Sequence, residues 1–506
     1  MRTRGQYMRN ALLLVVAVVL VNLIGQRFKF RLDLTDDHRY SLSDATLKLL
    51  KDLPEAVTVT AWFTEEMPPD LAVARQDMKD LLVEYAARSK GNVVFEFIDP
   101  GKADSLEAKA RQEGIQQLLA TTREKDKAEN LRIYMGATVR MGDRKAVIPV
   151  IQQGSALEWT VSSAIKEVSI VEKPVVGLLQ GHGEPPMEAL SQLVQNLNVM
   201  YTVQTMAVYD TVPVHDRFAA LLIIDPQDSI PPAQLARIKD HLNKGRGVVL
   251  AYTPVLSDLG GSPVLDLRRT GIEAWLQGLG MELEPRIITD ARCNQVQVMQ
   301  QLGNFQMPVP VAFPYFPVIS SFAEHPVTAG LDVVTYQFCS PLAPTADSSA
   351  HFTPLLFTSE KSNAVEAPQF IDLARQWNDG DFPRGPLTVG AEVQVGDGAQ
   401  RGKLIVFTNG GFATTGMGRS PQPLPQGNID LVVNAVDHAT GSNDLLGLRG
   451  KAVEYRPLDT ISDARRLTLK WMNLMVPIAL AITYGLLRRA WRQRQRRQRT
   501  APGHVR

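Results

Sequence analysis

Residues 174–184 read Pro-Val-Val-Gly-Leu-Leu-Gln-Gly-His-Gly-Glu. Five apolar residues, Val175–Leu179, run without a polar break and stop at a glycine-rich turn. Such a run is what a strand buried on both faces requires, because a half-exposed strand would alternate. A helix is predicted next over Met187–Leu197, then strands over Tyr201–Val208 and Ala219–Ile224, the latter ending at Asp225-Pro226. A helix over Pro232–Asn243, the glycines Gly245 and Gly247, and a strand over Val248–Tyr252 complete the pattern. Strands alternating with helices predict an α/β domain with a mostly parallel sheet covered on both faces.

Working outward, the preceding segment repeats the logic. Val57–Phe63 is rich in β-branched and aromatic residues and reads as a strand. Leu71–Ser89 has helical periodicity, and Val93–Ile98 is a second strand ending at Asp99-Pro100. Ser41 or Ser43 is placed to cap the helix whose apolar face is Leu47, Leu49 and Leu50. Residues 101–130 read as polar and helical or loose. Leu131–Met141 and Lys145–Val150 alternate as a hairpin around Gly142-Asp143, and Leu157–Val171 is helical. Further on, strands are predicted at Leu355–Thr358 and Leu404–Phe407 and a helix over Ile429–Thr440, with 340–402 read as Pro/Gly-rich insertions and loops.

The ends differ from the middle. Ala11–Gly25 and Trp471–Leu487 contain no charged residue, and each reads as a membrane span. The first run exits into Gln26-Arg27-Phe28-Lys29 without a small-x-small site, which favours an uncleaved anchor over a signal peptide. Arg2, Arg4 and Arg9 precede the first run, and eight arginines without an acid lie in 488–506. Set against a net charge of +1, these leave −10 on residues 11–487. Basic residues beside apolar runs are a topology signal and do not form a nucleic-acid patch. Seven arginines within 488–499 predict a cytoplasmic C-terminus, and two spans then place both termini in the cytoplasm and the body outside it. In a Gram-negative cell that space is the periplasm.

The expected architecture is therefore α/β: two extracytoplasmic α/β domains with mostly parallel sheets, flanked by one transmembrane helix at each end. Its divisions are a cytoplasmic N-terminus and anchor (1–30), a smaller domain (31–170), a larger domain (171–445), a linker (446–470), a span (471–487) and an Arg-rich tail (488–506).

Candidate chemistry centres on Gly181, His182, Gly183 and Glu184. Strand ends are where α/β folds place ligands, glycines allow close backbone approach, and His182 and Glu184 are acid, base or ligand types. The structural alternative is a sharp turn capped by its own polar residues. Asn409, Gly410 and Gly411 form a second strand-end turn that faces the same cleft or is a plain turn. There is no G-x-S-x-G elbow, no H-E-x-x-H and no P-loop, so no catalytic residue, metal site or cofactor is assigned. Cys293 and Cys339 are either one disulfide or two buried apolar groups.

Several stretches together resemble the GldG-like family of auxiliary membrane subunits of ABC-type transport systems. They are DLTDDHRYSLSDAT (33–46), GNVVFEFIDP (91–100), GLLQGHGE (177–184), EHPVTAGL (324–331) and GNIDLVVNAVDHATG (427–441), with the Arg-flanked terminal span. The resemblance implies a larger domain similar to non-catalytic class I glutamine-amidotransferase or flavodoxin-like folds. It also implies an ABC permease and a cytoplasmic ATPase as partners, in the bacterial inner membrane. Two other readings stay open: a membrane-anchored hydrolase or transferase using the GHGE turn, and an envelope glycan-binding scaffold without a transporter.

Overall fold

A computed structural model of the chain describes residues 42–124, 127–151, 157–257, 263–302, 305–345, 352–373, 375–396, 401–415, 423–442 and 463–500, with Leu13 and Val16. The expected first span, the 33–40 stretch and Ser41 lie outside the described residues, apart from those two positions. The chain forms two compact units, Met1–Val453 and Glu454–Arg506.

The first unit begins with helix α1 (Asp44–Lys51), capped by Ser43, whose hydroxyl accepts from Thr46 N at 3.2 Å. Strand β1 (Val57–Phe63), helix α2 (Pro69–Arg88) and strand β2 (Val93–Ile98) follow, and β1 and β2 are parallel neighbours, as a βαβ unit requires. Then come α3 (Asp104–Gln112), β3 (Gln117–Glu124), β4 (Lys127–Met141), β5 (Arg144–Ile148) and α4 (Leu157–Ser169). β4 pairs antiparallel with β1, β3 and β5, so this five-stranded sheet is mixed. β1 shows why it is central. Val57, Val59, Ala61 and Phe63 point into one core with Met78, Leu82 and Tyr85 of α2 and Val161 and Ile165 of α4. Trp62 points the other way, onto Ala110, Ile115 and Tyr134. β3 sits in the stretch read as loose; Leu119 on it is 72% exposed, so it lacks the buried alternation that marks a strand.

The larger sheet is built from β6 (Val175–Leu179), β7 (Thr202–Met206), β8 (Phe218–Ile224) and β9 (Gly247–Ala251). A long hairpin of β10 (Cys293–Leu302) and β11 (Phe305–Ile319) follows, and the sheet resumes with β12 (Ser321–Phe322), β13 (Phe352–Phe357), β14 (Thr388–Val395) and β15 (Gly402–Phe407). Its spatial order is β12-β13-β14-β15-β9-β8-β6-β7. The five strands β7, β6, β8, β9 and β15 are parallel, in the 2-1-3-4-5 order of a doubly wound sheet. β14, β13 and β12 add antiparallel. The sheet is thus mixed, five strands parallel and three antiparallel: β13 falls on the strand expected at Leu355–Thr358, and β14 lies in the part of 340–402 expected as loops. Gly390 within β14 obscures that strand in the sequence, and Pro354 hides only the start of β13.

Both faces of the parallel part are covered. Ala220, Leu222 and Ile224 of β8 face α7 (Gln426–Ala439), in a core with Leu431, Val432, Ala435 and Val436. Leu221 and Ile223 face the opposite layer, with Ile238 and Leu242 of α6 (Pro232–Asn243). Continuous apolarity is the consequence of that double cover. The stretches that carry the family resemblance meet here: Asn434 of α7 is fully buried and donates to the Val327 and Ala329 carbonyls at 3.1 and 3.0 Å.

In the second unit, helix α8 (Asp463–Thr500) runs through the expected span and on into the Arg-rich stretch without a break. Its segment Lys470–Arg494 is long and apolar enough to cross a membrane, and Leu480, Tyr484 and Leu487 are each 65% exposed.

His241 on α6 is buried, and among the described residues neither of its ring nitrogens has a hydrogen-bond partner. Burial, reinforced by Arg246 and Lys244, pushes it from 6.5 down to about 4. The folded chain therefore stays neutral there while the unfolded chain takes up a proton. Stability present above pH 6.5 is lost as pH falls toward about 4. In urea titrations of the detergent-solubilised chain, His241→Leu is expected to lose less stability than wild type across that window. Equal losses would contradict the assignment.

Candidate functional site

The centre of the larger sheet is the loop that leaves β8. Asp225 has φ +45° although it is not glycine and precedes proline, a combination that is sterically disfavoured. Its N–H donates to the Ala251 carbonyl at 2.7 Å, tying it to β9. Its carboxylate accepts from Thr253 N at 3.1 Å and from Gln227 Nε2 at 2.8 Å, with the Arg268 guanidinium at 3.8 Å.

Both predicted turns press on this loop. In the first, Gly181 has φ +125° and Gly183 φ +76°, which only glycine adopts readily. A Cβ on Gly183 would lie 2.8 Å from Gln227 Cβ, so the glycine also permits the approach. The His182 carbonyl accepts from Gln227 N at 2.9 Å and Asp228 N at 2.8 Å. The two side chains are turned inward. His182 Nε2 lies 2.7 Å from Gln234 Oε1 of α6, and Nδ1 lies 3.3 Å from Glu184 Oε1. Glu184 Oε2 accepts from His182 N at 2.6 Å. With side-chain exposures of 9% and 1%, the imidazole and carboxylate hold the turn's shape. The helix after the turn does not begin at it: a 3-10 turn, Met187–Leu190, intervenes before α5 (Ser191–Leu197).

The second turn is anchored from the other side. Asn409 is fully buried, donates to the Gln337 and Phe338 carbonyls, and accepts from Phe412 N at 2.8 Å. Gly410 N donates to Thr253 Oγ1 at 2.9 Å, and a Cβ on Gly410 would stand 2.4 Å from Asp225 Cβ. Gly411 has open space around it, with only Asn409 Oδ1 at 4.0 Å. The two turns thus flank the Asp225–Asp228 loop and do not face each other across an empty cleft. Sequence reading noted Asp225-Pro226 only as a strand end. Its signal as a centre would have been the strand order, which puts β6 beside β8 and β15 beside β9.

A second grouping was not legible, because its members lie far apart in the chain. His325, Glu392 of β14 and His438 of α7 bring one ligand atom each to within 4.8 Å of one another. His438 Nε2 is 2.9 Å and His325 Nε2 3.5 Å from Glu392 Oε2. Two imidazoles and a carboxylate are a zinc-type set. Two details favour a charge-balanced network instead. His325 Nδ1 accepts from Val327 N at 3.3 Å, which leaves the ring proton on Nε2, facing Glu392. The Lys403 ammonium, which donates to the His438 carbonyl at 2.9 Å, also acts on the carboxylate. Burial pushes Glu392 up, but His438, His325 and Lys403 outweigh it and hold the carboxyl below its ordinary value.

Cys293 and Cys339 are free thiols, Cys339 fully buried. Burial raises both.

These features define a protein with a mixed α/β body, a self-satisfied strand-end centre, and an apolar C-terminal helix of membrane-spanning length. The chain belongs to the ABC transport auxiliary family, described as an ABC-type uncharacterized transport system, whose profile matches residues 173–435, more than half the chain. A domain family of unknown function matches residues 36–140. An uncharacterized protein of Borreliella burgdorferi is 25% identical over 152 residues, which is 30% of this chain and 30% of that protein. The mmIFT52 N-terminal domain overlays with a TM-score of 0.35 at 13% identity, over 52% of this chain and 97% of that one. A ThuA-like protein from Parabacteroides merdae gives 0.31 at 10%, over 57% and 94%. Overlaps this loose carry nothing for fold or function. The family supports a transport-associated auxiliary role, and the apolar helix fits membrane association.

Gly410→Ala tests the centre. The new methyl meets Asp225, and overpacking of this kind costs about 1–3 kcal/mol. Urea unfolding is expected to show that loss, whereas Gly411→Ala, where space is open, should be near neutral. Equal effects would contradict the packing described.

Proposed function

We propose that this chain is a non-enzymatic auxiliary subunit of an ABC-type transport system, of the GldG-like kind. It works beside a polytopic permease and a cytoplasmic ATPase. The observation that carries the reading is the family match over residues 173–435 in a chain that also ends in an exposed apolar helix. In this reading α8 and the apolar run 11–25 sit in the bacterial inner membrane, both termini are cytoplasmic, and the body is periplasmic. The arginines after Leu487 support that orientation through the positive-inside bias. ATP is coupled through the permease, since the chain holds no P-loop.

The body divides near residue 170 into a smaller domain and a larger amidotransferase- or flavodoxin-like one. Separate sheets and separate family matches on either side of that point support the division, and the 2-1-3-4-5 order supports the likeness. Substrate or an envelope partner meets the body at the switch point between β6 and β8, over Gly181 and its neighbours His182, Gly183 and Glu184, with Asn409–Gly411 alongside. Gly181 is exposed and has open space where a side chain would be. Catalysis is not part of the reading, because His182 and Glu184 are engaged by Gln234 and by the turn's own backbone.

Photo-crosslinking amino acids at Leu480 and Tyr484 test the subunit reading in native membranes. Adducts with a polytopic membrane protein, absent when the probe sits at exposed Leu119 of the body, are expected. Adducts with lipid alone at both helix positions would overturn it.

A further inference from the structure

The β10–β11 hairpin has no role in the reading above. It is rooted in an aromatic cluster in which Phe313 meets Phe316 at 4.8 Å and Phe338 at 6.2 Å, and Tyr315 meets Trp377 at 5.8 Å. Beyond that root it runs as a two-stranded arm, from the pair Gln295↔Ala312 to Leu302↔Phe305. None of residues 294–299 or 307–312 is buried, and Met299 and Met307 are 60% and 53% exposed. From Cys293 to Ala323 the sequence contains no Asp, Glu, Lys, Arg or His. A two-stranded ribbon is only marginally stable in water, and native edges are normally blunted by charge or proline.

The two edges of this arm are not equivalent. Pro308 and Pro310 have no N–H, so their pairs with Met299 and Gln297 must be the non-hydrogen-bonded pairs of the ladder. Their nitrogens therefore face outward and blunt the β11 edge. By the same alternation, the N–H and C=O groups of Gln297 and Met299 face outward on β10. Among the described strands β10 pairs only with β11, so this edge is bare and carries no proline.

We propose that the β10 edge is a self-association surface, where the same strand of a second copy pairs with it antiparallel. Two arms then form a four-stranded ribbon, β11-β10-β10-β11. A symmetric pair is favoured over an open chain, because proline closes both outer edges and growth stops at two. The absence of charge matters as well, since a second copy lays no like charge against the first. The interface is separate from the switch point and does not depend on the transport reading.

The test is analytical ultracentrifugation of the full chain in mild detergent over a concentration series. Wild type is expected to dimerise. Gln297→Pro and Met299→Pro remove outward N–H groups without touching the internal ladder, as Pro308 and Pro310 already do. Each should weaken the dimer about tenfold or more. Met299→Lys keeps the backbone donors but sets like charges together, and should weaken the dimer most at low salt. Unchanged far-UV circular dichroism confirms that the variants fold. A wild-type chain that stays monomeric throughout overturns the proposal and leaves the edge to a strand from another protein. A dimer insensitive to all three substitutions overturns it as well.

Discussion

Asp225 holds a left-handed backbone at the end of the middle strand of the parallel sheet, and the larger part of the body is organised around that residue. A backbone so strained costs on the order of 1–3 kcal/mol and persists only when its surroundings over-determine it. Here they do. Ala251 takes its N–H, Thr253 and Gln227 donate to its carboxylate, and Gly410 closes over it with no room for a methyl group. His182 reaches the same loop through its carbonyl. Four strand ends, those of β6, β8, β9 and β15, are stitched together at one point.

This lock decides what the two glycine turns do. A turn that offers His182 and Glu184 to solvent would invite a search for a reaction. Here the imidazole reaches Gln234 and the carboxylate accepts its own backbone N–H, so those two side chains fasten the turn and leave Gly181 exposed. Both faces of the parallel part of the sheet are covered as well, by α7 on one side and α6 on the other. The His325–Glu392–His438 cluster fits the same pattern: it joins the loop before Val327, strand β14 and helix α7 through a balanced set of charges.

Much of the fold was legible wherever burial on two faces left an unbroken apolar run. Phe218–Ile224 and Val175–Leu179 are such runs, and the turn after each was placed correctly at a strand end. The β1–α2–β2 unit is equally plain, and of the two serines able to cap α1 the structure uses Ser43. What failed did so for physical reasons. β14 carries Gly390 and the buried Glu392 where a strand pattern calls for apolar residues, so its local sequence does not mark it as a strand, whereas β13 shows itself at Leu355–Thr358. The meeting of the two turns at Asp225 depends on strand order, which brings residues 225 and 410 together and which local periodicity does not encode. The cluster around Glu392 was hidden for the same reason, its members being drawn from a loop, a strand and a helix.

The most direct measurement is the composition of the complex purified through a C-terminal tag from the native locus in mild detergent. If the chain is a subunit of an ABC system, a polytopic permease and a P-loop ATPase come with it in reproducible ratio. Their absence, under conditions in which another ABC complex from the same membranes stays intact, would contradict the account at its centre.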